Sequence, residues 1–206
     1  MWSFEERKIL DKLNSPRKTQ DYLDFIPYDV KGVTCSARSV MKEKKADCFS
    51  GAIFGAAALQ NLGFGPKLVE LLAVNDDGHT LAVFKANSCW GAVAKSNFTT
   101  LRYREPVYKT IRELVMSYFD FYFNTAGQKT LRAFSEPLSL ERFGKEWMFS
   151  NMSKQIGAVF DRIARHKILT PAKKNMLTKV DPLLLKAGLL GSNPKGLFKP
   201  KKKPIS

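Results

Sequence analysis

Histidine is nearly missing from this chain of 206 residues: only His79 and His166 occur, beside three cysteines, Cys35, Cys48 and Cys89. Three cysteines cannot all pair within one chain and none stands in a short-spaced metal pattern, so with two histidines a Cys/His zinc site is not expected. No apolar run approaches the ~20 residues that a membrane span needs. Residues 1–14 alternate charged and apolar side chains instead of showing the apolar core of a secretory signal. The expectation is a cytoplasmic protein with free thiols and no metal or organic cofactor.

Acidic residues are scarce at one end. Residues 1–150 hold 21 Lys+Arg and 17 Asp+Glu, a balance of +4, whereas residues 151–206 hold 13 Lys+Arg and two acids, Asp161 and Asp181, giving +11 of the total +15. The body is thus nearly neutral and the C-terminal quarter basic, an asymmetry that attracts nucleic acid or anionic lipid through counterion release. Apolar residues make up 44% of the chain and charged ones 26%, enough for a core and unlike a disordered chain. One domain over residues 1–190 is expected, with residues 191–206 as a basic, disordered tail ending in the lysine-rich run 199–204.

Periodicity sets the remaining expectations. Ser3 and Glu6 form a capping box for a helix over residues 3–13, and Pro27 ends a second helical stretch over 19–25. Residues 36–46 read as a basic helix with Val40 as its apolar contact. Asp47 is an N-cap, and residues 48–62 then carry no formal charge before Gly63. A helix apolar all round must be enclosed, and Gly51 and Gly55, one turn apart, let another element approach its backbone. Residues 67–74, 79–86 and 89–94 read as three strands joined by short turns, an antiparallel meander packed on that helix. Alternation puts His79, Leu81 and Val83 on one face. A helical period returns over 108–124, where the aromatic run 118–123 suits core packing better than base stacking. Arg102 and Arg104 are expected to pair with acids such as Glu105 or Glu113. Thr170-Pro171 and Asp181-Pro182 are helix starts.

Chemistry concentrates on Cys48. Unpaired N–H groups and the dipole at a helix start stabilise a thiolate, lowering the thiol pKa, and the same groups hold an oxyanion. His79 opens a strand that the meander packs near the helix, so nucleophile and base meet at a helix–sheet junction. Asp47 stands at the same helix start. Trp90 either walls the cleft or fills the core.

The segment Ala46-Asp-Cys-Phe-Ser-Gly-Ala, then Asp76-Asp-Gly-His-Thr-Leu-Ala-Val-Phe, then Cys89-Trp-Gly-Ala-Val-Ala-Lys-Ser-Asn-Phe, resembles the transglutaminase-like superfamily, more narrowly a microbial branch of it. The likeness extends over most of residues 15–198. It implies an α+β, papain-like fold in which a central buried helix packs on an antiparallel sheet, with additional helices. It also implies a cysteine nucleophile, carried over to Cys48, a histidine base, carried over to His79, and an orienting group on the next strand. Where relatives place an acid after the aromatic, this chain has Ala94 or Lys95 and no carboxylate. Asn97, through its side-chain carbonyl, or Ser96 is left to orient the imidazole. Lys95 is a solvated strand end or a charge aimed at an acidic substrate group, and Asp76 and Asp77 are turn residues, either of which could approach the imidazole from the side.

The implied function is a thiol-dependent hydrolase or acyltransferase acting on an amide or ester of a peptide or protein. A catalytically degenerate module that binds a peptide in the old cleft is the alternative. A nucleic-acid role through residues 151–206 is a third reading.

Overall fold

The computed structural model describes residues 1–201. Helices α1 (Phe4–Lys12), α2 (Pro16–Phe25), α3 (Ala37–Glu43) and α4 (Cys48–Asn61) lead the chain. Each begins on a side-chain cap: Ser3, with the expected Glu6 box, Ser15, Ser36 and Asp47. On α4 ten consecutive residues, Ser50 to Leu59, are buried, as its lack of charge requires.

Strands β1 (Lys67–Ala73), β2 (His79–Ala86) and β3 (Cys89–Val93) form the expected antiparallel meander. The sheet continues through β4 (Arg104–Tyr108), β5 (Leu131–Ser135) and β7 (Arg165–Lys167), in the order β4-β3-β2-β1-β5-β7, and β6 (Leu138–Ser139) pairs with the start of β1. All three residues of the outer strand β7 are exposed and two are cationic by composition, which discourages further edge pairing.

Helix α4 packs on one face of this sheet, in a core containing Leu68, Ala82, Phe84 and Val93. Gly51 and Gly55 serve the close approach expected of them. A Cβ on Gly51 would lie 2.3 Å from Lys95 Cβ, and one on Gly55 would lie 3.1 Å from Ala82 Cβ. The opposite face carries Leu71, Leu81, Val83 and Ala92 under Leu101, Leu114, Tyr118 and Tyr122. Strand β2 is therefore enclosed on both faces, and every residue from His79 to Phe84 is buried. The result is an α+β fold: a central buried helix on an antiparallel sheet, with further helices around it.

Two expectations in the middle of the chain need correction. The helix read over 108–124 is only α5 (Ile111–Met116), followed by a 3-10 turn at Phe119–Phe121. The break brings Tyr118 and Tyr122 under the sheet, where their hydroxyls donate to Arg102 O (2.8 Å) and Asp77 O (2.7 Å). Buried tyrosines need such partners. Arg102 pairs with Asp24 at 3.1 Å, and Arg104 bonds Ser117 and main-chain carbonyls, not the acids expected.

Helices α6 (Ser153–Phe160), α7 (Pro171–Asn175) and α8 (Pro182–Leu189) complete the chain, the last two capped by Thr170 and Asp181 as expected. The segment expected to trail as a disordered tail from Gly191 instead lies along the body as far as Lys201, hydrogen-bonded to Asn97, Thr125 and Asn75. The end of that expected tail, residues 202–206, lies outside the described residues.

Candidate active site

Asp47 places the first turn of α4. Its Oδ1 accepts from Ser50 N and Ser50 Oγ, both at 2.7 Å, and its own N–H donates to Ser50 Oγ at 3.0 Å. That reciprocal box fixes Cys48 as the first helical residue, and Cys48 Sγ donates to Gly78 O at 4.0 Å. The sulfur thus rests against the residue that precedes His79. The N–H groups of Thr80 and Phe49 favour a thiolate there. Although the Cys48 residue keeps some solvent contact, protein packed around the thiol and the charges of Asp47 and Asp77 outweigh them and push it up to about 12. The expected lowering by the helix start is therefore reversed: desolvation of the anion exceeds the helix-end stabilisation.

His79, the first residue of β2, is buried, and its Nε2 lies 2.8 Å from Leu101 O. A carbonyl only accepts, so Nε2 carries the ring proton and the neutral imidazole presents Nδ1 as its base. Burial pulls the imidazole down to about 4, helped by Arg104 and opposed by the Leu101 bond. Cys48 and His79 line one cavity of about 240 Å³, together with Tyr28, Asp76, Asp77, Tyr122 and the C-terminal Gly196 and Phe198.

The orienting group differs from the sequence expectation. Ser96 and Asn97 do line the cavity, but Ser96 Oγ accepts from Phe98 N at 3.0 Å, and both ends of the Asn97 amide bond to Asn193. Ala94 lies on the same face as Leu81 and Val83 and offers no polar side-chain atom, so among the described residues the Leu101 carbonyl is the partner that His79 has. Lys95 is neither solvated nor aimed at the cavity. It is buried, its Nζ donates to Leu23 O (2.7 Å) and Ile26 O at the end of α2, and burial lowers it to about 8. Trp90 is no cleft wall: it packs against the core beneath β2 and β3 with Lys67 and Lys85 over its ring. Asp47 is the helix cap and does not line the cavity.

One residue at the site, Tyr28, carried no local sequence signal. Tyr28 lines the cavity beside Cys48, and burial raises its pKa, so it is a neutral phenol near the helix start. Asp76 accepts from Thr130 Oγ1 at 2.6 Å and is pushed up by burial to about 6, which is unlike a plain turn residue.

The fold and its cleft define a class of arrangement: an α+β protein with a helix-start thiol and a strand-start imidazole on one cavity. No family model matches the chain, and no curated protein matches it in sequence. Among solved structures the chain is similar to Legionella pneumophila LapG (EGTA-treated), at 11% identity, with 76% of this chain and 85% of that chain covered and a TM-score of 0.38.

Proposed function

We propose that the protein is a thiol-dependent hydrolase or acyltransferase of transglutaminase-like, papain-type design, acting on an amide or ester bond through Cys48 and His79. The observation that carries this is the shared cavity, in which the Leu101 carbonyl holds the proton on His79 Nε2 and leaves Nδ1 free as a base. Nδ1 takes the thiol proton, and the sulfur forms a bond to the substrate carbonyl carbon. The developing oxyanion meets the Cys48 N–H and the Tyr28 hydroxyl at the start of α4. The imidazolium returns its proton to the leaving amine or alcohol as that bond breaks, giving a thioester. Water or an acceptor amine, deprotonated by His79, then releases the acyl group and restores the thiol.

A second reading, a catalytically degenerate peptide binder, is favoured by one observation: among the described residues the His79 ring bonds a main-chain carbonyl and no carboxylate, so an imidazolium lacks a paired anion. One experiment separates the two. Wild-type, His79→Ala and Cys48→Ser chains are treated with p-nitrophenyl acetate at pH 7.5, and acetylation of each cysteine is followed by peptide mass mapping. The enzyme reading expects Cys48 to acetylate in the wild type and at least about 100-fold more slowly in His79→Ala, the scale of a lost general base. Equal rates in both would leave only the binding reading.

A further inference from the structure

After α8 the chain crosses the candidate site as a strap. Thr99 Oγ1 donates to Leu190 O at 2.6 Å. Asn97 Oδ1 accepts the Asn193 N–H at 2.8 Å while its Nδ2 donates to Asn193 O at 2.9 Å. Thr125 Oγ1 donates to Phe198 O at 3.3 Å. Asn75 Oδ1 accepts the Lys201 N–H at 2.7 Å, and its Nδ2 donates to Lys201 O at 3.1 Å. Each of these bonds goes to the strap's main chain. A side-chain amide carries the same donor and acceptor pair as a peptide group, so Asn75 and Asn97 each clamp one residue by its backbone, much as a neighbouring strand would.

Between the two clamps Gly196 and Phe198 line the cavity that holds Cys48 and His79. Gly196 passes a constriction: a Cβ there would lie 2.9 Å from Val30 Cγ1, 3.1 Å from Asn97 Nδ2 and 3.2 Å from Tyr28 Cδ1. The strap is cationic through Lys195, Lys199 and Lys201, and the cavity wall carries Asp76 and Asp77. Main-chain clamps, a glycine-sized gate and acidic walls together fit a basic polypeptide segment.

We infer that the cleft is a peptide groove that reads main chain through Asn97 and Asn75, that its ligand class is a basic segment with glycine at the gate, and that residues 190–201 are its resident, competing occupant. Naming that ligand a substrate class rests on the hydrolase reading; the groove itself does not. Because the hydrogen bonds from the body reach only the strap's main chain, another chain can make the same bonds without matching its side chains.

The test uses the full chain. A fluorescent peptide with the sequence of residues 190–201 is titrated by anisotropy into Cys48→Ala protein, so that nothing turns over, with and without Gly196→Phe in the protein. The bulky side chain expels the strap at the gate, and the freed groove binds the peptide at least about tenfold tighter than the occupied one. Adding Asn97→Ala removes that gain, and a peptide carrying the Gly196→Phe change does not bind. If Gly196→Phe fails to fold, the pair Asn193→Pro and Lys201→Pro, which deletes one strap N–H at each clamp without bulk at the gate, serves in its place. Equal affinity for occupied and released proteins would overturn the inference. Peptide binding without acetylation of Cys48 would remove the hydrolase and keep the groove, whereas acetylation without peptide binding would do the reverse.

Discussion

Replacing Gly51 by alanine tests the packing that sets the whole site, because this glycine lets the end of β3 lie directly on α4. The added Cβ would stand 2.3 Å from Lys95 Cβ and 3.5 Å from Lys95 Cα, so the strand must move by more than 1 Å, a scale on which overpacking costs about 3 kcal/mol. Alanine recovers ~1 kcal/mol of helix propensity, leaving about 2 kcal/mol of net loss. Two internal controls calibrate the effect. At Gly55 the nearest atom is Ala82 Cβ at 3.1 Å, which yields by a few tenths of an ångström, so clash and propensity nearly cancel. At Gly157, on α6, no atom of the described residues beyond its own helix turn lies within 4 Å, and alanine stabilises by about 1 kcal/mol. In a chain of this size the three variants should melt about 4–8 °C lower, within about 2 °C of wild type, and about 2–4 °C higher. Urea denaturation with a constant slope checks that the changes are in stability. A Gly51→Ala protein as stable as wild type would refute the close approach and the site geometry built on it.

Three further outcomes are expected. The folded state holds His79 at about 4 against 6.5 when unfolded, so the unfolded chain binds the extra proton first and stability falls as pH drops from about 6.5 to 4. Relative to His79→Gln the loss is about 3 kcal/mol, read from urea midpoints at both pH values; parallel curves would contradict the buried neutral imidazole. Lys95, lowered to about 8 by burial, makes stability rise between pH 8 and 10.5, because the unfolded chain keeps its proton longer there. Lys95→Met should flatten that rise, and an unchanged difference across the interval would place the ammonium in water. Gln20 bonds both Ala94 N and Ala94 O at 2.9 Å in a buried setting, so Gln20→Ala should cost about 2–4 kcal/mol by leaving two main-chain groups unpaired. A loss below about 0.5 kcal/mol in thermal melts would show that water replaces the amide there.

Local patterns determined much of this protein. The charge-free stretch after Asp47 specifies an enclosed helix because nothing on it tolerates water on any side. Strands β1 to β3 follow from β-rich runs cut by turn residues, and Ser3, Thr170 and Asp181 mark helix starts because their oxygens satisfy orphan N–H groups. The candidacy of Cys48 and His79 was also legible, from a thiol at a helix start and a histidine at a strand start. Only the tertiary structure decided what surrounds them. The Leu101 carbonyl that faces His79 is a main-chain atom and leaves no trace in residue type. Desolvation reversed the expected acidity of Cys48, since burial depends on segments distant in sequence. The aromatic run 118–123 has a helical period, yet the helix ends at Met116 and the two tyrosine hydroxyls bond main-chain carbonyls of distant segments, which periodicity does not register. Glycine and proline breaks and a lysine run read residues 191–206 as a disordered tail, yet residues 191–201 lie along the body. The bonds that hold this segment across the site are made by its backbone, which composition does not register.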